Sequence, residues 1–128
     1  MITYMSKDEV MHIHQRIMQS FGVVPPLIND SALESALMRP QMVAYYENGD
    51  IYEQAAVLMS GIVFAHAFLD GNKRTAMIAG ITFLRINGQQ ITSDPIVFAQ
   101  QIEWLTIPTI PLDEKMSLFL TWLKQQVQ

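Results

Sequence analysis

Nine consecutive residues, His66-Ala-Phe-Leu-Asp70-Gly-Asn-Lys-Arg74, gather an imidazole, a carboxylate, an amide and two cations in the most apolar part of the chain. Burying so many polar groups without partners is costly, so the segment is expected to open onto a cleft or to pair its charges. The residue types suit a phosphate site. Gly71 allows unusual backbone angles and close approach of a ligand. Beyond it a helix is expected to start, and the first N–H groups of a helix are unpaired and lie at the positive pole of its dipole. Lys73 and Arg74 fall in that first turn, where cations are disfavoured unless an anion compensates them; a di- or triphosphate does so. Asp70 can hold Mg²⁺ through one carboxylate, with phosphate oxygens supplying further ligands. His66, at the end of the preceding helix, can take a proton from an attacking hydroxyl. Phe68 reads as a structural anchor that plugs the segment into the core. Asp70-Gly71-Asn72 alone would be an ordinary turn; the case rests on the full set.

The elements that must position this loop are helical. Ser6 and Glu9 form a capping box, so a helix starts near Lys7, with Val10, Ile13, Ile17 and Phe21 on one face. Gly22 and Pro25-Pro26 end it. Ser31 and Glu34 read as a second capping box, opening a short helix that Pro40 stops. Tyr45 to Asp50 holds an Asn-Gly signal and is read as a small β-hairpin or irregular flap. A third helix, about Tyr52 to Ala65, is apolar on nearly every side and belongs at the centre of the core. A fourth runs from about Asn72 to Ile86 and stops at Asn87-Gly88. Gln89 to Thr92 reads as extended. Asp94-Pro95 opens a fifth helix, and a last amphipathic helix begins near Asp113. The class is all-α (mainly α), a compact bundle around a central helix–loop–helix with a β-hairpin flap, in a single domain over residues 1–128.

The composition bounds the alternatives. Half of the 128 residues are hydrophobic and 16% charged, with a net charge of −4, so the chain is expected to fold. Its basic residues are scattered apart from Lys73-Arg74, which argues against direct nucleic-acid binding. It has no cysteine, which removes thiolate and disulfide chemistry and fits a cytoplasmic location. No signal peptide and no membrane span are read. His12 and His14, two apart on a helix, face different ways and are poor metal partners, so a solvated or capping role is expected for both.

The loop resembles the signature of the Fic/Doc family: His66, Phe68, Asp70, Gly71, Asn72 and Arg74 match it in order. Ser31 to Gln41 resembles the family's upstream helix and turn, and Thr82 to Gly88 the end of its central helix. The likeness spans about residues 5 to 92 and implies a Fic-type helical bundle and a nucleotide-dependent transferase using ATP and Mg²⁺. It implies His66 as general base, Asp70 as the Mg²⁺ ligand, Gly71 and Asn72 shaping the anion pocket, and Lys73 and Arg74 on the transferring phosphate. By position it also implies a target-docking flap over Tyr46, Glu47, Asn48, Gly49, Asp50 and Ile51. Two departures from the AMP-transferring members, Lys73 in place of Gly and Met77 in place of a second Arg, are similar to the Doc (death-on-curing) branch. That branch implies the toxin of a toxin–antitoxin pair, a kinase that phosphorylates a translation factor such as elongation factor Tu. A separately encoded antitoxin is then expected to lay a helix in a groove near the site, since no internal Ser/Thr-x-x-x-Glu-Gly/Asn inhibitory motif occurs. Transfer of AMP or another nucleotidyl group to a protein hydroxyl, and a catalytically silent binding or adaptor module, are the alternatives.

Overall fold

A computed structural model describes residues 1–127. Six helices follow in order: α1 (Lys7–Gln19), α2 (Asp30–Glu47), α3 (Ile51–Ala65), α4 (Asn72–Ile86), α5 (Pro95–Leu105) and α6 (Leu112–Gln125). The class is all-α. Among the described residues, β structure amounts to two isolated bridges, Leu27 with Phe68 and Ile91 with Val127.

The capping box at α1 is formed in both directions: Glu9 N–H donates to Ser6 Oγ at 3.1 Å, and Ser6 N–H donates to Glu9 Oε1 at 3.1 Å. The helix ends at Gln19, so Phe21 lies beyond it and is exposed rather than on its inner face. Two expectations for α2 are corrected. Its cap is Asn29, whose Oδ1 accepts from Ala32 N–H at 3.1 Å, so Ser31 lies inside the helix. Pro40 does not stop it. Proline forfeits one backbone bond, yet this one is buried, and the helix runs on to Glu47. The packing that holds it is close: a Cβ added to Gly61 of α3 would sit 3.3 Å from Ala36 Cβ of α2.

The β-hairpin is also corrected. Tyr46 and Glu47 are the last residues of α2, and Ile51 is the first of α3. Asn48 takes a left-handed conformation (φ 54°) that closes α2, and Gly49 N–H donates to Val43 O at 3.1 Å. The Asn-Gly pair therefore serves as a helix stop, a use of positive φ that competes with the hairpin turn. Asp50 caps α3 through Oδ1, which accepts from Tyr52 N–H at 3.0 Å and Glu53 N–H at 2.9 Å.

Helix α3 is the axis of the core. Ala55, Leu58, Met59, Ile62 and Val63 are all buried, against Leu33 and Leu37 of α2 and Ala76, Ala79, Phe83 and Leu84 of α4. Gly80 lets α4 approach α3 closely: a Cβ there would collide with the Met59 side chain. Helices α5 and α6 close one side through Phe98, Phe119 and Trp122, with Phe98 edge-on to Trp122 at 5.0 Å. The buried Lys115 ammonium donates to Leu105 O and Ile107 O, which satisfies the carbonyl end of α5.

Asp50 supports a direct test. Burial pushes its carboxyl up, but the N–H groups of Glu53 and Tyr52 and the Lys124 ammonium at 3.3 Å outweigh that, and its pKa lies below the ordinary value. Asp50→Ala is expected to lower stability to urea by about 1 kcal/mol, the usual value of a helix N-cap. Since the folded-state pKa is depressed, the wild-type advantage is fully present above the unfolded carboxylate pKa of about 3.9 and fades as pH falls through the lower folded value. Urea titrations of both proteins at neutral pH and at acid pH measure the difference.

Candidate active site

The loop from His66 to Gly71 joins the end of α3 to the start of α4, and its backbone is held from three directions. The chain before α2 runs alongside it: Ile28 N–H and Asn29 N–H donate to Ala67 O at 2.7 and 3.1 Å, and Leu69 N–H donates to Pro26 O at 3.2 Å. From the first residue of α4, the Asn72 side chain takes both polar groups of Phe68: Phe68 N–H donates to Asn72 Oδ1 at 3.1 Å, and Asn72 Nδ2 donates to Phe68 O at 2.8 Å. From α1, His14 Nε2 donates to Asp70 O at 2.8 Å. Phe68 itself is buried, and its ring lies flat on His14 with centroids 3.7 Å apart and planes 10° from parallel.

The residues that carry charge stand outside this frame. His66 ends α3 in a left-handed conformation (φ 46°, ψ 42°) and is exposed. Such a conformation at a non-glycine residue stores local strain, and here it turns the imidazole out while Ala67 and Phe68 turn in. Asp70 is exposed, and its Oδ1 accepts from Gly71 N–H at 2.7 Å. Gly71 precedes α4 at φ 85°, and no side chain caps the helix start. The angle favours glycine, and a Cβ at Gly71 would fall 2.6 Å from Met18 Sδ and 3.2 Å from His14 Cδ2, so a side chain there would also have to displace Met18. Lys73 reaches α5 and pairs with Glu103 at 2.7 Å. The Arg74 guanidinium lies 4.7 Å over the Phe21 ring.

These groups surround one cleft of about 520 Å³, lined by His66, Leu69, Asp70, Gly71, Asn72, Lys73 and Arg74, with Met18, Phe21 and Val63 at its walls. His66, Asp70, Lys73 and Arg74 thus share a cavity. Its lining includes the start of α4, which no side chain caps, together with the two cations Lys73 and Arg74. The Asn72 amide is spent on Phe68, so Asn72 shapes the pocket by fixing the loop. Met77 lines a neighbouring apolar groove between α1, α4 and α5.

The segment Tyr46–Ile51 is not part of this site. It precedes α3, whose 15 residues place it about 22 Å from His66 at the far end of that helix. The extended stretch that lies beside the loop is instead Pro26-Leu27-Ile28, paired through the Leu27–Phe68 bridge. The flap expectation is corrected in both shape and place. His14 is corrected too: it is 2% exposed and inside the structure. Its spacing of four from Val10 and from Met18, both buried, was the signal that put it on the inner face of α1.

Against known proteins, the family model described as "Fic/DOC family" matches residues 4–84. The chain is 32% identical over 93 residues to the protein described as "Protein kinase doc" of Escherichia phage P1, covering 72% of this chain and 74% of that one. It is 33% identical over 96 residues to "Toxin Doc" of Mycolicibacterium smegmatis, covering 73% of this chain and 72% of that one. With a matching model over most of the chain and these two relatives, the protein belongs to the Fic/DOC family.

Proposed function

We propose that the chain is a Doc-type toxin: a protein kinase that moves the γ-phosphoryl group of ATP onto a hydroxyl of a translation factor, such as an elongation factor Tu-like protein. The observation that carries the reading is the single cleft in which an exposed imidazole, a carboxylate and two cations face an uncapped helix start. On this reading His66 accepts the proton of the target hydroxyl as its oxygen attacks the γ-phosphorus, and ADP leaves. Lys73, Arg74 and the first N–H groups of α4 neutralise charge on the transferring group, where phosphoryl transfer gains most of its rate.

The residues present fit Mg²⁺. Among the described residues no three His, Cys, Asp or Glu side chains cluster as an all-protein metal cage. Asp70 has one carboxylate oxygen engaged by Gly71 and offers the other, a donor set suited to a small hard cation that shares phosphate oxygens. When bound, the ion would neutralise phosphate charge and orient the phosphates.

Phosphate rather than AMP transfer is favoured by Lys73, which adds a cation where AMP-transferring relatives carry glycine, and by Met77, which lies outside the cleft and brings no second arginine to it. The target is expected to align beside Pro26-Leu27-Ile28, next to the exposed Leu69. A separately encoded antitoxin helix fits the groove of about 600 Å³ between α1, α4 and α5, whose wall includes Ile17, Met77, Ile78 and Ile96 and which shares Arg74 with the catalytic cleft.

Incubation with bacterial lysate and ATP labelled at either the α- or the γ-position tests the reaction. Label is expected on a protein band only from the γ-position; label from the α-position alone would establish AMP transfer, and nucleotide binding without transfer would establish a binding module. His66→Gly separates chemistry from folding. It is expected to cut transfer by roughly 10²- to 10⁴-fold through loss of the base. Thermal stability is expected to be equal or higher, because glycine relieves the left-handed strain. The Lys73–Glu103 pair has its two side chains 46% and 63% exposed, so it is weak, yet a phosphate must compete with it. Glu103→Gln is therefore expected to tighten ATP binding by about two- to fivefold, measured by calorimetry at low salt, with the gain shrinking as salt is added.

A further inference from the structure

We infer that His14, on α1, is a positioning residue for the transfer reaction: it fixes the peptide between Asp70 and Gly71, and through that peptide it sets the direction of the Asp70 carboxylate. The inference rests on the transferase reading of the cleft. Three observations place His14 in this role. Its Nε2 lies 2.8 Å from Asp70 O, and since a carbonyl only accepts, Nε2 carries the proton. Its ring covers Phe68 face to face at 3.7 Å. A Cβ at Gly71 would come within 3.2 Å of His14 Cδ2, so the 70–71 peptide rests directly on this side chain.

The geometry of a trans peptide supplies the link. The C=O and N–H of one planar unit point in opposite directions. With the Asp70 carbonyl drawn to His14, the Gly71 N–H on the same plane is turned away from α1. That N–H holds Asp70 Oδ1 at 2.7 Å. The order is therefore His14 Nε2–H to Asp70 O, then Gly71 N–H to Asp70 Oδ1. The second carboxylate oxygen is left for the cleft in one orientation. Accepting a hydrogen bond at the carbonyl also polarises the N–H of the same peptide. His14 lines no part of the cleft, so it reaches the Asp70 carboxylate through this peptide. Packing alone does not call for a donor here: a phenylalanine would stack on Phe68 equally well.

The test compares His14→Phe, which keeps the stack and removes the donor, with His14→Gln, whose amide nitrogen reaches about as far as Nε2. Each is made in the full chain, with folding checked by circular dichroism and thermal denaturation. Should His14→Phe fail to fold, His14→Met takes its place, since it matches Gln in shape and lacks the donor. The first readout is amide hydrogen exchange of the 66–74 segment in free protein. The donor-less variant is expected to exchange about 3- to 10-fold faster there, with α3 unchanged, and His14→Gln to stay near wild type. The second readout is kinetic. The donor-less variant is expected to lose kcat on the order of 10- to 100-fold, with the Mg²⁺ half-saturation raised and KM for ATP within about threefold, and His14→Gln to recover most of the rate. Unchanged exchange in the donor-less variant, or equal impairment of His14→Gln, overturns the proposal. A wild-type protein that transfers nothing overturns the kinase reading instead, and the exchange comparison still decides whether His14 holds the loop.

Discussion

Asn72 and His14 together solve the problem on which the rest of the site depends. A loop between two buried helices must satisfy its own backbone without burying the charges it carries. The side chain of Asn72 takes both polar groups of Phe68, and His14 takes the carbonyl of Asp70. The chain before α2 pairs with Ala67 and Leu69. Phe68 can then be buried as an anchor, and His66, Asp70, Lys73 and Arg74 can face water. The loop is held by hydrogen bonds to its backbone and by a ring stack on Phe68. On the proposed function, a loop fixed in this way would present its dipoles to developing charge at no reorganisation cost.

The cations are held differently. Lys73 is paired with Glu103 of α5, and Arg74 lies over Phe21 at the end of α1. Both contacts are exposed and weak, and both involve side chains with room to turn. The site thus combines a loop pinned by hydrogen bonds with two exposed cations at its rim. Arg74 and Glu103 also border the apolar groove between α1, α4 and α5. A helix seated in that groove, as proposed for the antitoxin, would touch Arg74 itself and Glu103, the partner of Lys73.

Much of this was legible in the sequence, and what was missed has definite causes. The two central helices, the loop between them and the grouping of His66, Asp70, Lys73 and Arg74 follow from local signals: an apolar run, a Gly-Asn turn, charges at a helix start. The errors arose where one local signal serves two structures. Asn48-Gly49 favours positive φ, which suits a hairpin turn and a helix stop alike; only the packing of α2 on α3 decides between them. Pro40 weakens a helix, but its burial against the core overrides that local preference. Lys73's pairing with Glu103, 30 residues away, leaves no trace in spacing. His14 was legible by its register with Val10 and Met18, but its partner Asp70 lies 56 residues on, beyond any local pattern. The displaced flap has the same origin: that Pro26-Leu27-Ile28 runs beside Phe68 is a long-range pairing, fixed by the fold.

On the proposed function, a phosphate binds the uncapped start of α4 on a loop already formed without it. The most direct measurement is a titration of isotopically labelled protein with Mg²⁺ and ATP, followed through backbone amide resonances. The largest shifts are expected at Gly71, Asn72, Lys73 and Arg74, with Phe68 and Leu69 slow to exchange with solvent before any nucleotide is added. Shifts centred on another part of the chain, or a loop whose amides become protected only on binding, would contradict it.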